Sequence, residues 1–303
     1  MSGIRILMCS YNGSDYLRAQ ITSFQDQTFG KWSLWVSDDG SSDRSLDVIR
    51  DAHGSAPREL RVLNGPRQGF AANFLSGLCS AELSPGWVAL ADQDDVWFPD
   101  KLERAMDRLG GLDPDVPALA CGRTMLTDRD LRPMGPSRLH HDFSFRNALV
   151  QNVVAGNTIV LNPAAHRLVR AAGVPDIPYH DWWIYLLVTA AGGTVVYDPK
   201  PCMYYRQHGH NVLGENRSLG GVMRRATSFG SRTWRGWFEA NMAALHQNRD
   251  LLSEDAKATL DAHTAALRTP AFARLRALHA IAPRRQYRHE TLALYIGTAL
   301  GLA

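Results

Sequence analysis

Short apolar runs alternate with amphipathic segments along the first third of the chain. Four runs have the length of buried strands, and apolar residues between them recur at the three-to-four-residue spacing of helices. The four runs are residues 4–9, 32–36, 60–63 and 88–91. Strands that alternate with helices predict βαβ units, right-handed crossovers and a parallel sheet. The expected fold class is therefore α/β.

A polar cluster follows each of these four runs. The clusters begin at Ser10, Ser37, Asn64 and Asp92. Ligands of an open α/β sheet bind outside the carboxyl ends of its strands, so a single crevice can collect all four clusters. The pattern predicts a ligand site at this edge of the sheet.

The densest cluster is Asp92-Gln93-Asp94-Asp95, which contains three carboxylates within four residues. Carboxylates this close repel one another unless a positive group lies among them. A hard divalent cation held by one or two carboxylates and by substrate phosphates fits this arrangement. The alternative is a solvated loop in which Asp95 or Asp100 caps the helix predicted from Lys101 onward.

The motifs and their order resemble those of family 2 glycosyltransferases with a GT-A fold. The resemblance covers roughly residues 1 to 215. The matching strings are Cys9-Ser10-Tyr11-Asn12, Ser37-Asp38-Asp39-Gly40-Ser41-Ser42-Asp43, Gly69-Phe70-Ala71-Ala72-Asn73, Asp92-Gln93-Asp94-Asp95, Gly156-Asn157-Thr158, His180-Asp181-Trp182-Trp183 and Tyr205-Arg206-Gln207-His208-Gly209. The resemblance implies a Rossmann-like, mostly parallel sheet with helices on both faces, followed by a C-terminal helical region.

Within the family, three strings are most similar to bacterial rhamnosyltransferases of surface-polysaccharide assembly: Asp-Gln-Asp-Asp-Val-Trp, His-Asp-Trp-Trp and Tyr-Arg-Gln-His-Gly. The resemblance implies an inverting enzyme, dependent on Mg²⁺ or Mn²⁺, that transfers L-rhamnose from dTDP-β-L-rhamnose to a glycan or lipid-linked saccharide. One alternative is a UDP-hexose or UDP-N-acetylhexosamine donor. Another is a non-catalytic nucleotide-sugar-binding scaffold, because a fold alone does not fix a function.

The donor-side prediction follows from this resemblance. Tyr11 offers an aromatic face for a pyrimidine and Asp39 an acceptor for its ring N–H, whereas packing of Tyr11 and turn formation by Asp38 are the structural alternatives. Asp94 is expected on the metal, with His208 as a further metal ligand. The residues expected to bind the nucleotide sugar are Ser10, Tyr11, Asn12, Asp39, Arg67, Gly69, Asn73, Asp92, Gln93 and Arg206.

The acceptor side requires a base, because inversion needs a carboxylate that takes the proton of the acceptor hydroxyl. Asp181 is expected in this role, since neighbouring aromatic side chains should desolvate it and raise its pKa. The alternative is that Asp181 is a helix N-cap. The residues expected to contact the acceptor are Gly156, Asn157, His180, Trp182 and Trp183, although at least one of the two tryptophans fits the core better.

The predicted organisation is a catalytic domain over residues 1–213 and an α-helical extension over residues 214–303. The catalytic domain divides into a nucleotide-binding half (1–110) and an acceptor-binding half (111–213). In the extension, residues 223–246 and 255–278 are each predicted to form an amphipathic helix.

Aromatic side chains of the extension lie near Arg224, Arg225, Arg232 and Arg235. This combination is typical of a helix on an anionic membrane surface. Packing on the catalytic domain or on another subunit, as in a homo-oligomer, is the alternative.

Composition agrees with a globular protein. The chain has 303 residues, 45% of them hydrophobic, and a formal charge of +3 that is too small to indicate nucleic-acid binding. Residues 214–303 hold 13 Lys and Arg against 7 Asp and Glu, so the positive charge lies in the extension. No apolar run approaches the ~20 residues of a membrane-spanning helix, and the first residues lack a signal-peptide pattern.

The four cysteines are widely spaced, which favours reduced thiols over disulfides or metal ligands. Together with the absence of a predicted span, this indicates a cytoplasmic protein, with peripheral contact at the inner face of the membrane if the helical extension binds lipid.

Overall fold

A computed structural model describes residues 3–54, 58–207, 232–267 and 269–299. The four predicted strands are present as β1 (Ile4–Ser10), β2 (Trp32–Asp38), β3 (Leu60–Asn64) and β4 (Val88–Ala91). They pair in parallel in the order β4-β1-β2-β3. The connecting helices are α1 (Leu17–Gln25), α2 (Ser45–His53) and α3 (Phe70–Cys79). The prediction of a parallel α/β unit is confirmed.

Helices cover both faces of the sheet, so its central strand is apolar on both sides. Side chains of β1 alternate between two cores: Ile6 and Met8 pack on one side, and Leu7 packs on the other. All three are fully buried. This explains why the strand appears in the sequence as a continuous apolar run.

Three further strands extend the sheet beyond β4. They are β6 (Ala118–Gly122), β9 (Val160–Leu161) and β10 (Thr194–Asp198), and the full order is β10-β6-β9-β4-β1-β2-β3. The two-residue strand β9 is antiparallel to both of its neighbours, β4 and β6. A 3-10 turn at Gly156–Thr158 precedes β9 and brings that segment beneath the carboxyl end of β4.

A second, four-stranded sheet was not predicted from the sequence. It consists of β5 (Val96–Trp97), β11 (Met203–Arg206), β7 (Met125–Thr127) and β8 (Pro133–Pro136), in that order. Strand β5 begins directly after the acidic cluster and pairs antiparallel with β11. The small sheet therefore holds the chain on the far side of this cluster.

The helices of the second half pack in both cores. They are α4 (Lys101–Gly110), which packs in the core of Ile6 and Met8, and α5 (Phe145–Ala148), α6 (Pro163–Ala172) and α7 (His180–Ala190), which pack in the core of Leu7. Every residue of α7 except Asp181 is buried. Helix α7 is therefore a core element with one partly exposed carboxylate near its N-terminus.

The C-terminal region is helical, as predicted, with α8 (Arg232–Gln247), α9 (Glu254–Leu267), α10 (Ala271–Ile281) and α11 (Arg288–Ala299). The single helix expected over residues 255–278 is wrong. Pro270 occupies the N-cap position of α10, and proline cannot continue a preceding helix because it lacks an N–H and its ring clashes with the previous turn.

Helix α8 packs on the catalytic region. Phe238, Met242 and Leu245 belong to the same core as Trp183. Part of the first predicted segment (residues 223–231) and the proposed boundary at residue 213 lie outside the described residues, so the division into domains stays a prediction.

Two expectations drawn from composition can be compared with the described ranges. None of the helices there combines the length and the apolar character needed to cross a bilayer. All four cysteines are free thiols, and Cys9, Cys121 and Cys202 are buried.

Candidate active site

Three carboxylates converge where β4 ends. One oxygen from each of Asp92, Asp94 and Asp95 can be chosen so that all three lie within 4.8 Å of one another. Asp92 and Asp94 are partly exposed, whereas Asp95 is fully buried. Asp92 and Asp94 therefore face the crevice, and Asp95 lies behind them.

The negative charges of the three carboxylates repel one another, which makes ionisation of the cluster unfavourable. Burial, followed by repulsion from Asp94 and Asp181, raises the pKa of Asp92 to about 7. The pKa of Asp95 is also raised by burial and by its two acidic neighbours. In the described part of the chain, the buried Oδ1 of Asp95 has no hydrogen-bond partner. A divalent cation would relieve this repulsion, so the residues present fit a metal held by Asp92 and Asp94, with Asp95 behind them.

The helix-cap alternative is wrong for Asp95, and for Asp100 it holds for the position alone. The Oδ2 of Asp95 accepts a hydrogen bond from Nδ2 of Asn157 at 2.6 Å. Asp100 occupies the N-cap position of α4, but its side chain makes no capping hydrogen bond. It instead accepts from Arg104 at 3.0 Å and from Lys200 at 2.7 Å.

Lys101 is a residue of this site that the sequence interpretation missed. It is 3% exposed, its Nζ donates to the carbonyl of Asn157 at 2.6 Å, and it lies 3.2 Å from the centroid of the Trp97 ring. Burial lowers its pKa to about 7, against the opposing charges of Asp95 and Asp92. The positive charge of a lysine is unfavourable at the positive N-terminal end of a helix. Its position in the first turn of the predicted helix was the one sequence feature that could have indicated a special role for Lys101.

On the donor side, Tyr11 projects from the loop after β1. Its side chain is 58% exposed. The Gln93 amide holds its main chain: the N–H of Tyr11 donates to Oε1 at 2.9 Å, and Nε2 donates to the carbonyl of Tyr11 at 3.1 Å. A Cβ at Gly13 would lie 2.2 Å from Oε1 of Gln93, so only glycine leaves room for this contact. Gln93 therefore positions Tyr11.

Asp39 organises a second donor-side loop. Its Oδ1 accepts from the N–H of Arg67 at 2.6 Å, and its Oδ2 accepts from the N–H of Gly69 at 2.9 Å. Arg67 and Gly69 have positive φ angles of 59° and 89°, so the two hydrogen bonds fix a loop conformation that is uncommon for arginine. Turn formation, the structural alternative for Asp38, is confirmed, because its Oδ2 accepts from the N–H of Ser41 at 2.9 Å.

Asn12 links the loops that follow β1 and β2. It has a φ of 48°, its N–H donates to the Ser41 hydroxyl at 3.0 Å, and its Oδ1 accepts from the N–H of Ser42 at 2.8 Å. Its side chain therefore holds the donor-side loops together.

Three residues expected at the donor lie within the wall of the crevice instead. Asn73 is 1% exposed, and its amide both accepts from the Ser37 hydroxyl and donates to the Ser37 carbonyl. Ser10 is likewise 1% exposed. The Arg206 guanidinium, 6% exposed, donates to the carbonyl of Asp94 at 3.0 Å. Their burial favours support of the loops over direct contact with a ligand.

Asp181 lies in the first turn of α7. Its Oδ1 accepts from the N–H of Trp182 at 2.7 Å, and its Oδ2 accepts from the N–H of Gly156 at 3.2 Å. Burial raises its pKa to about 6, although these N–H groups act in the opposite direction. The predicted upward shift is confirmed. The N-cap alternative is wrong, because Tyr179 occupies that position.

Asp181 lies near the acidic cluster, since its charge contributes to the raised pKa of Asp92. The 3-10 turn at Gly156–Thr158 joins the two groups. Gly156 donates to Asp181, and the next residue, Asn157, donates to Asp95. These two residues, expected at the acceptor, therefore hold both sets of carboxylates in place.

The structure does not bring the remaining expected acceptor contacts to the crevice. Trp182 is 5% exposed and donates its indole N–H to the carbonyl of Ala148, while Trp183 is fully buried. His180 is 4% exposed and stacks on Phe74, with ring centroids 4.0 Å apart. A sugar cannot stack on rings enclosed in the core. His208, expected on the metal, lies outside the described residues.

A Rossmann-like sheet with an acidic cluster at its carboxyl edge and a carboxylate across the crevice defines the class of GT-A glycosyltransferases. Residues 5–170 match the model of the family described as Glycosyl transferase family 2. The chain belongs to this family, and the expected enzyme class and fold are confirmed.

Sequence relatives agree with this assignment. The chain is similar to the dTDP-rhamnosyl transferase RfbG of Shigella flexneri, with 25% identity over 235 residues, which is 72% of this chain and 77% of the relative. It is also similar to the UDP-Glc:alpha-D-GlcNAc-diphosphoundecaprenol beta-1,3-glucosyltransferase WfgD of Escherichia coli, with 34% identity over 33% of this chain and 38% of the relative.

Two solved structures share the fold. The first is TarS 1-349 of S. aureus in complex with UDP-GlcNAc, with a TM-score of 0.57 and 12% identity over 99% of this chain and 91% of that one. The second is the mannosyltransferase PcManGT of Pyrobaculum calidifontis in complex with GDP-Man and Mn²⁺, with a TM-score of 0.53 and 19% identity over 98% of this chain and 86% of that one.

Proposed function

We propose that the protein is an inverting, metal-dependent glycosyltransferase that transfers L-rhamnose from dTDP-β-L-rhamnose to a glycan or lipid-linked saccharide in cell-surface polysaccharide synthesis. The observation that carries this proposal is the turn at Gly156 and Asn157, which donates to Asp181 on one side and to the acidic cluster on the other, with the charge of Asp181 acting on Asp92. An inverting transfer needs a site for the leaving diphosphate and a base on the opposite side of the sugar.

The donor binds at the loops after β1, β2 and β4 in this proposal. The exposed ring of Tyr11 stacks on the nucleobase, and Asp39, which is 8% exposed and accepts from the N–H groups of Arg67 and Gly69, fixes the loop beside the base. Asp94, together with Asp92, would hold Mg²⁺ or Mn²⁺. The bound ion would supply positive charge to the diphosphate and to the leaving group.

Asp181 completes the reaction on the acceptor side. Its carboxylate takes the proton from the acceptor hydroxyl as the new bond to the sugar C1 forms and the bond from C1 to the phosphate oxygen breaks. A pKa of about 6 keeps the group ionised near neutral pH, yet basic enough to accept this proton. The N–H groups of Gly156 and Trp182 hold its two oxygens in position.

Support for rhamnose comes from RfbG, whose name specifies dTDP-rhamnose transfer and which aligns with 72% of the chain. A UDP-sugar donor is the second candidate, because TarS is described with UDP-GlcNAc and WfgD is named for UDP-Glc. A non-catalytic scaffold is less well supported, since such a protein needs neither the acidic cluster nor a desolvated carboxylate across from it.

Thermal unfolding with candidate donors tests the choice of donor. We expect dTDP-rhamnose with Mg²⁺ or Mn²⁺ to raise the midpoint of unfolding more than UDP-glucose, UDP-N-acetylglucosamine or GDP-mannose does. A donor at ~100 times its Kd adds about 2.7 kcal/mol to the free energy of unfolding. Each donor is also measured in EDTA as a control. Stabilisation by a UDP-sugar alone would establish the second candidate, and a lack of response to every donor would contradict both.

Cytoplasmic location, peripheral membrane contact and homo-oligomerisation stay predictions. Arg224 and Arg225, two of the four arginines assigned to a membrane face, lie outside the described residues. Helix α8 is nevertheless attached to the catalytic region through Phe238 and Met242. This packing favours a structural role for at least one face of α8.

A further inference from the structure

We infer that Phe70, Tyr179 and Trp237, together called the aromatic shelf, form the surface on which a pyranose ring of the acceptor stacks. The inference rests on the proposed function, because it needs Asp181 to be the base that activates the acceptor. It gives the acceptor site a set of residues different from Trp182, Trp183 and His180, which the structure buries.

The three rings of the aromatic shelf contact one another in sequence. The ring centroids of Phe70 and Tyr179 are 5.8 Å apart, and those of Tyr179 and Trp237 are 5.0 Å apart at 90°. Phe70 is 37% exposed, and Tyr179 and Trp237 are partly exposed. The buried ring of His180 contacts Phe70 edge-on, with centroids 5.9 Å apart, and is itself stacked on Phe74. The shelf therefore rests on buried rings while its own three rings keep exposed surface.

The aromatic shelf lies between the two halves of the active site. Phe70 begins α3 directly after Gly69, whose N–H is bound by Asp39 on the donor side. Tyr179 precedes Asp181 by two residues, and the charge of Asp181, after burial, raises the pKa of the Tyr179 phenol. A ring stacked here would have its hydroxyl groups next to the proposed base.

The chemistry of the shelf suits a saccharide. A pyranose has an apolar C–H face and a rim of hydroxyl groups, so burial of that face against aromatic rings is favourable while the rim stays hydrated. Tyr179 adds a hydroxyl that can exchange hydrogen bonds with the rim. The planes of Tyr179 and Trp237 are perpendicular and that of Phe70 is tilted by 47° from Tyr179, so one sugar face stacks on one ring while the other two rings flank it.

Trp237 makes the C-terminal region part of the active site. Its neighbour Phe238, together with Met242 one turn further, anchors α8 in the core that also contains Trp183. This anchoring fixes the Trp237 ring against Tyr179. The position of the Trp237 ring therefore depends on helix α8. This helix lies outside the part of the chain that matches the family model, which ends at residue 170.

The test uses the full chain with Trp237→Leu, Phe70→Leu and the conservative Trp237→Phe. Tyr11→Leu is the matched control, because it removes an exposed aromatic ring from the donor side. Three quantities are measured for each variant: stabilisation by the donor with metal, hydrolysis of the donor without acceptor, and nucleotide release with a panel of methyl glycosides and disaccharides as acceptor probes.

We expect Trp237→Leu and Phe70→Leu to raise the KM for the saccharide probes about tenfold, with donor binding and donor hydrolysis unchanged. Trp237→Phe should keep the KM within about threefold of the wild type, because an aromatic face remains. Tyr11→Leu should show the opposite pattern, with weaker donor binding and an unchanged KM for the probes.

Two results would overturn the inference while leaving the proposed function intact. One is an unchanged KM for the probes in both leucine variants. The other is a wild-type enzyme that binds and hydrolyses the donor yet responds to none of the saccharides. Failure of the wild type to bind any donor would instead contradict the proposed function itself.

Discussion

Replacing Asp181 with asparagine should lower turnover by about 10²–10⁴-fold while leaving nucleotide and metal binding unchanged. Asparagine preserves the shape of the side chain but cannot take a proton. The loss should appear in kcat more than in the KM for the donor, because proton removal matters only as the new bond forms. Steady-state kinetics with varied donor, together with thermal-shift titration of donor, separates these quantities.

The pH profile gives an independent readout of the same variant. Burial raises the pKa of Asp181 to about 6, so the base is protonated and inactive below that pH. We expect kcat of the wild type to rise as pH increases through about 6. The residual kcat of Asp181→Asn should not show this rise. Asp39→Ala is the matched comparison, with weaker donor binding and only a modest loss at saturation. An Asp181→Asn enzyme that lost nucleotide affinity but kept its turnover would show that Asp181 belongs to the donor side of the site and not to the acceptor side.

Replacing Asp94 with asparagine should abolish most activity without unfolding the protein. A neutral amide is a poor ligand for a hard divalent cation. In EDTA the variant should be at least as stable as the wild type, because it removes the repulsion by which Asp94 contributes to the raised pKa of Asp92. Activity across a Mg²⁺ and Mn²⁺ titration, with unfolding curves in EDTA, checks both statements.

Asp115→Asn provides a control for this variant. Asp115 is exposed, lies 3.8 Å from Arg167, and precedes β6 at the amino end of that strand, whereas the acidic cluster follows the carboxyl end of β4. Its removal should change neither activity nor metal dependence. Full activity of the wild type in EDTA, or an Asp94→Asn enzyme that retains wild-type activity, would rule out the metal-dependent mechanism.

Three strands of the parallel half, β1, β2 and β4, were predictable because they are buried on both faces, whereas the edge strand β3 buries only Leu63. Strands buried on both faces appear as short continuous apolar runs, and the polar residues that follow mark the carboxyl edge where the ligand site lies. The second sheet was not predictable in this way. Its strands β5 and β7 have two and three residues, too few for a pattern of side chains to appear.

The role of α7 shows where local interpretation of a motif fails. Trp182 and Trp183 resemble sugar-stacking residues when they are considered next to Asp181. The segment from His180 to Ala190 is apolar nearly all round, however, and a helix of this kind is buried. The composition of the whole helix was therefore a better guide than the identity of two residues.

Contacts across long stretches of chain lay beyond sequence reasoning. Lys101 bonds to a residue 56 positions away, and Arg206 bonds to one 112 positions away. Neither pairing has a local signature, because each depends on how separate elements pack. The aromatic shelf has the same origin, since its three rings come from α3, from the residue before α7 and from α8.

The short antiparallel strand β9 has a consequence for how the enzyme tolerates change. Its register against β4 and β6 fixes the position of the preceding turn, in which Gly156 donates to Asp181 and Asn157 donates to Asp95. A slip of one residue would turn every side chain of the strand to the other face of the sheet. The separation of Asp181 from the acidic cluster therefore depends on the length of one peptide segment. Insertions or deletions at residues 156–161 should be far less tolerated than equal changes in the surface loop at 111–117, and attempts to graft new donor loops onto this scaffold should keep that segment unaltered.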